Sequence, residues 1–285
     1  MPRRYTSSKR KFPRRKFTKK RRFTRRKRRA GRSMSTKAIL NLTSVKKKDT
    51  MIQGQVLGDG SVSTAPYFRI DMGPNSYTAW CQNASYRERG NSLAAPVRNL
   101  RDIYLKGFAE TIRVDTNSGN PLFVRRMVVS MPNRIDLTGG ASIPNNQPTR
   151  VVKDGIHYIG IGNGPLNTGL YELIFAGRQG TDWSDVLSAK LDSRRMRIHS
   201  DKTLFIKSGN AAEAVKQYKF WDRINKKVQY DDEEIGNDVF TSGFTTTSTQ
   251  GHQQNVYVVY LFFNPSGVAV TTDIAQQRTM YWHER

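Results

Sequence analysis

Closely spaced cations are the residues of this sequence best suited to chemistry. Arg3, Arg4, Lys9, Arg10, Lys11, Arg14, Arg15, Lys16, Lys19, Lys20, Arg21, Arg22, Arg25, Arg26, Lys27, Arg28, Arg29 and Arg32 are followed by Lys46, Lys47 and Lys48. Residues 1–48 hold 22 of the 48 Lys and Arg and no Asp or Glu. The remaining 237 residues carry 26 basic and 23 acidic side chains, a net of +3, so one segment owns nearly all of the formal charge of +25. Each such cation that meets a phosphate releases a condensed counterion. Affinity for a single strand then falls with salt at a log–log slope of roughly −0.7 per phosphate. Phe12, Phe17 and Phe23 lie between the clusters, where rings can stack on unpaired bases at about 1–3 kcal/mol each. The same Lys/Arg runs suit nuclear import. Sequence-specific readout is not expected, because a loose cationic segment holds no donors in fixed register on base edges.

A second charged cluster, Asp231, Asp232, Glu233 and Glu234, follows Lys226 and Lys227. It reads as a solvated surface, as a contact with basic residues of a neighbouring subunit, or as oxygen ligands for a hard cation such as calcium. Arg125–Arg126 and Arg194–Arg195 either extend the basic surface or blunt strand edges with charge.

Catalytic patterns are missing. There is no G-x-x-x-x-G-K-[ST] run, and Gly160, Gly162 and Gly164 lead into Pro165 rather than into a dinucleotide-binding helix. His157, His199, His252 and His283 are scattered, with no ligand at metal spacing. Cys81 is the single cysteine, which leaves no disulfide framework and suits a reducing compartment. No catalytic residue, cofactor or metal site is assigned, and the chain is not expected to be an enzyme.

Self-repulsion and a shortage of apolar surface make residues 1–48 an expected disordered arm, with Pro2 and Pro13 against a continuous helix. Residues 49–285 are expected to form one β domain, whose first strand can begin as early as residue 36 around Leu40 and Leu42. Strands are expected at Ile103–Val114, Leu122–Met131, Tyr171–Phe175, Arg197–Ile206, Tyr218–Tyr230, Val256–Phe263 and Arg278–Trp282. Val256–Phe263 has the composition of a strand buried on both faces, and it is too short to cross a bilayer. No apolar stretch follows the basic start, so no secretory leader is expected. Asp182 as N-cap, with Asp185 three residues on, predicts one helix over 183–191. Long polar connections are expected at 52–66, 136–170 and 238–252. Together these give an all-β fold, a single eight-stranded jelly-roll sandwich with one short helix.

Two stretches carry a family resemblance. The basic arm followed by Leu40-Asn-Leu-Thr-Ser-Val-Lys-Lys-Lys-Asp-Thr-Met51 resembles the start of genomovirus (gemycircularvirus-like) capsid proteins. Tyr218-Lys-Phe-Trp-Asp-Arg-Ile-Asn-Lys-Lys-Val-Gln-Tyr-Asp-Asp-Glu-Glu234, with Gly236 beyond it, resembles the same family and is similar to a strand of geminivirus coat proteins. The resemblance implies a capsid subunit whose copies form an icosahedral shell around circular single-stranded DNA. It also implies recognition by host nuclear import receptors, residence in the virion and host nucleus, and no membrane insertion. A cellular nucleic-acid-binding protein with a basic tail, ribosomal or chromatin-like, is the alternative.

Overall fold

Alternating apolar and polar residues pair into strands along most of the chain in this computed structural model. It describes residues 34–56, 62–63, 67–85, 87, 89–90, 96–131, 150–153, 156–161, 171, 173–207, 213–230, 233–235, 238–241 and 255–285. The chain falls into two units, Met1–Leu42 and Thr43–Arg285. The strands are β1 (Val45–Val56), β2 (Val62–Ser63), β3 (Phe68–Met72), β4 (Ser76–Asn83), β5 (Asp102–Thr116), β6 (Leu122–Met131), β7 (Arg150–Lys153), β8 (Ile156–Ile161), β9 (Arg197–Ile206), β10 (Ala214–Gln229), β11 (Glu233–Ile235), β12 (Asp238–Thr241), β13 (Asn255–Asn264) and β14 (Val270–Glu284).

Eight strands form a large sheet in the order β10-β5-β14-β1-β8-β7, with β2 beside β1 and β3 beside β14. Four more form a small sheet, β4-β13-β6-β9, and β11–β12 is a separate hairpin. Among the described residues every pairing of these strands is antiparallel except that of β1 with β8. The inward residues of the two sheets share one core. Phe108, Ile112 and Val114 of β5 and Ile274, Met280 and Trp282 of β14 meet Val124 and Val128 of β6 and Tyr260 and Phe262 of β13. Trp80 sits at the centre, edge-on to Tyr260 at 4.9 Å and to Phe262 at 5.3 Å. Burying each such side chain contributes about 1.5–3 kcal/mol. The architecture is an all-β sandwich of jelly-roll type.

The small sheet is covered on its other face as well. Tyr171, Phe175, Val186, Leu191 and Met196 pack over Met127, Val129, Tyr257, Val259 and Leu261. This makes β13 buried on both faces, as its unbroken apolar run implies.

Five expectations change. No helix forms over 183–191, which is a series of turns. The Asp182 carboxylate accepts from the Arg178 amide (2.7 Å) and the Asp185 carboxylate from the Leu187 amide (3.0 Å), so both side chains close turns instead of capping a helix. The segment expected as a first strand from residue 36 is helical over Thr36–Thr43 (α1), with the Ser35 hydroxyl accepting from the Ala38 amide at 3.3 Å as an N-cap. Strand β1 starts at Val45, so the boundary expected at residue 48 falls inside a strand. Tyr171, Leu173 and Ile174 are helical rather than extended, with the Phe175 amide donating to the Tyr171 carbonyl at 2.8 Å. The expected connections also hold strands: β2 lies in 52–66, β7 and β8 in 136–170, and β12 in 238–252.

Candidate nucleic-acid interface

Residues 1–33, with the arm cations Arg3 to Arg32 and Phe12, Phe17 and Phe23, lie outside the described residues. Lys46, Lys47 and Lys48 enter β1, where the pleat sends them to alternate faces. Lys46 and Lys48 are exposed on the outer face of the large sheet. Lys47 points inward and is 6% exposed. Its ammonium pairs with Glu284 at 3.0 Å and donates to the Val97 carbonyl at 2.7 Å. Lys47 is therefore a structural cation, which corrects its assignment to phosphate binding.

Register places other chemistry beside Lys46 and Lys48. Lys46 lies opposite His283 of β14, His283 opposite Tyr104 of β5, and Tyr104 opposite Lys227 of β10. In the next outward row Lys48 lies opposite Tyr281, Tyr281 opposite Gly107, and Gly107 opposite Arg223. Lys106 is bulged out of both pairings of β5. Its ammonium lies 5.6 Å from the Tyr104 ring centroid. The local potential registers on His283: burial, then Lys106 and Lys46, lower its imidazole pKa.

The inward neighbours of these residues hold the strands in place. Asp222, between Trp221 and Arg223, turns into the core. Arg126 of β6 reaches it there, donating from Nη1 to its carboxylate at 3.0 Å, and also binds Glu110 of β5 at 2.8 Å and the Tyr260 hydroxyl at 3.0 Å. Arg278 and Gln276 of β14 donate to the other oxygen of Glu110. Removing one member of such a buried cluster leaves the others uncompensated, which costs about 3–5 kcal/mol. Because Asp222 is held inside, the alternation of β10 sends Trp221 and Arg223 outward. A bulge between Arg223 and Lys226, with Asn225 at φ 51, sits in this region. It requires Gly107, whose φ is +153 and where a Cβ would stand 2.1 Å from the Asp222 carbonyl oxygen.

Other candidates fall elsewhere. Arg125 and Arg126 are both buried. Arg125 pairs with Asp201 at 2.7 Å and donates to the Val186 carbonyl at 2.6 Å, so neither arginine extends the surface. Arg194 and Arg195 are exposed and flank Asp192 at 3.2 and 3.3 Å. Glu233 and Glu234 lie in β11, paired with Thr241 and Val239 of β12, while Asp231 and Asp232 lie outside the described residues. Among the described residues no group of three acidic, His or Cys side chains is placed to hold a metal ion. Cys81 is buried, and burial holds its thiol well above the usual range. No helix among the described residues is long and apolar enough to cross a membrane.

Sequence reasoning missed Tyr104, Lys106, Lys219, Trp221 and Arg223 as surface chemistry. The signal was present in β10: Lys219, Trp221 and Arg223 hold the parity opposite to the apolar Tyr218, Phe220 and Ile224.

The fold and this face together define an all-β sandwich with a basic outer sheet surface. No family model matches the chain, and no curated protein does. Among solved structures, the chain is similar to one in the cryo-EM atomic structure of Broad Bean Stain Virus, with 10% sequence identity and a TM-score of 0.24, covering 75% of this chain and 86% of that one.

Proposed function

We propose that this chain is a viral coat protein whose copies assemble into a closed icosahedral shell and package circular single-stranded DNA without sequence specificity. The observation that carries the reading is the division of charge: 22 cations and no acid in residues 1–48, against a net of +3 on the rest. A near-neutral sandwich tiles without self-repulsion, while the segment at its start neutralises a polyanion. The resemblance of Leu40–Met51 and Tyr218–Glu234 to genomovirus capsid proteins supports the same reading and supplies the nature of the genome. The clusters between Arg3 and Arg32 also serve nuclear import by host receptors. Asp231, Asp232, Glu233 and Glu234 are proposed as a contact with basic residues of a neighbouring subunit.

Electron microscopy of the purified full chain, with and without circular single-stranded DNA, tests the proposal. Closed particles that protect the DNA from nuclease are expected. A protein that binds DNA yet stays monomeric at every concentration overturns it in favour of a cellular binding protein with a basic tail.

A further inference from the structure

The outer face of the large sheet has an uneven composition. At one end Asp115 and Asp273 are each held by an arginine, Arg113 and Arg69, at 2.9 Å. Beyond that end the same face carries Lys219 and Arg223 on β10, Lys106 on β5 and Lys46 and Lys48 on β1, and among the described residues none of them is paired with a carboxylate. The nearby acid, Asp102, is taken by Lys227 at 2.7 Å. Cations spread along one face without counter-charge give it a positive potential that favours a polyanion.

Aromatic rings are interleaved with these cations. Trp221 is 56% exposed and Tyr104 39%, although both lie in strands with an ample core behind them. Trp221 stands between Lys219 and Arg223 on β10, the edge strand of the large sheet, and meets the Tyr281 ring at 5.5 Å with the planes 63° apart. This tilted contact buttresses one side of the indole and leaves the rest of the ring to solvent. An exposed indole between two cations stacks on a planar base while its neighbours hold the flanking phosphates. A duplex offers only the phosphates, because its bases are already stacked; the rings therefore select unpaired strands.

From this juxtaposition we infer that the outer face of β10, β5, β14 and β1 is a second binding site for single-stranded nucleic acid, with a base stacked on Trp221 and phosphates on Lys219, Arg223 and Lys48. This deepens the packaging reading and rests on it. Lys46 and Lys48, the last cations of residues 1–48, belong to this face.

Titration of the full chain with the oligonucleotide (dT)20, following tryptophan emission and affinity together, tests the site. Trp80 and Trp282 are buried and Trp183 partly so, which makes Trp221 the principal ring open to a base. Quenching by (dT)20 is expected in the wild type and its loss in Trp221→Ala, with affinity about 5- to 150-fold weaker. Trp221→Phe keeps a stacking ring and is expected to keep most of the affinity. Lys219→Gln with Arg223→Gln is expected to reduce the salt slope by about 0.7 per cation removed. Tight (dT)20 binding without quenching, and unchanged in Trp221→Ala and in the double Gln variant, overturns the site while leaving packaging by residues 1–48 intact. Failure of the wild type to bind (dT)20 overturns the packaging reading itself. Loss of shells in Trp221→Ala with unchanged (dT)20 affinity makes the face a contact between copies and overturns the inference.

Discussion

Buried Glu110 and half-buried His199 make the stability of this sandwich depend on pH, and both act in the same direction. Burial alone would raise the Glu110 carboxyl, but Arg278 and Arg126 outweigh it and hold the group at about 2, below its ordinary 4.5. Its contribution is complete above pH 4.5 and is lost as pH falls toward 2. His199 accepts or donates a 2.9 Å hydrogen bond with Ser130. Burial, then Arg197 and Lys226, push its imidazole down to about 4 from 6.5. The fold resists protonating it, so stability present above pH 6.5 is lost as pH falls toward 4. The urea midpoint is expected to drop in both windows, and His199→Gln is expected to flatten the upper one alone. A wild-type midpoint that stays level from pH 7 to 4 would refute the assignment.

Within elements, the bulge shared by β10 and β5 is the least substitutable feature. Gly107→Ala would drive a Cβ into the Asp222 carbonyl, a backbone group that cannot swing aside, at a φ that L side chains rarely adopt. Overpacking and backbone strain together are expected to cost about 2–5 kcal/mol, read as a lower thermal midpoint of the full chain. A variant as stable as the wild type would show that the bulge is not fixed by this contact. Elements of this kind also show what the sequence could and could not tell. Strands β5, β6, β9, β10, β13 and β14 were legible because their apolar residues recur at period two or run unbroken. The 183–191 stretch misled because an Asp that caps a helix closes a turn equally well, and its apolar residues face the small sheet from irregular backbone. Leu40 and Leu42 misled in the opposite direction, since two residues cannot separate a strand from a helix that Ser35 caps. Lys47 was unreadable for another reason: three consecutive lysines look alike until a pleat sends the middle one to Glu284. The outward trio on β10 was written in the parity of Lys219, Trp221 and Arg223. Its junction with Lys46 and Lys48 depends on strand order, which no local pattern encodes.

At the scale of the molecule, charge and fold are divided along the chain. Among the described residues the fourteen strands lie at or beyond Val45, and the two cores draw their residues from Phe68 onward. Residues 1–32 contain 18 of the cations. Deleting them is expected to leave the thermal midpoint within a few degrees of the full chain, since a segment so rich in charge has too little apolar surface to bury. Nuclease-protected DNA and nuclear entry of a fluorescently tagged chain are both expected to be lost. The truncated protein keeps Lys46, Lys48 and the β10 patch, so weak (dT)20 binding with quenching of Trp221 should survive, with a salt slope reduced in proportion to the phosphates no longer neutralised. Collapse of the thermal midpoint on deletion would mean that the cationic segment is part of the folding unit. Undiminished DNA protection would move the packaging charge from the arm to the sheet.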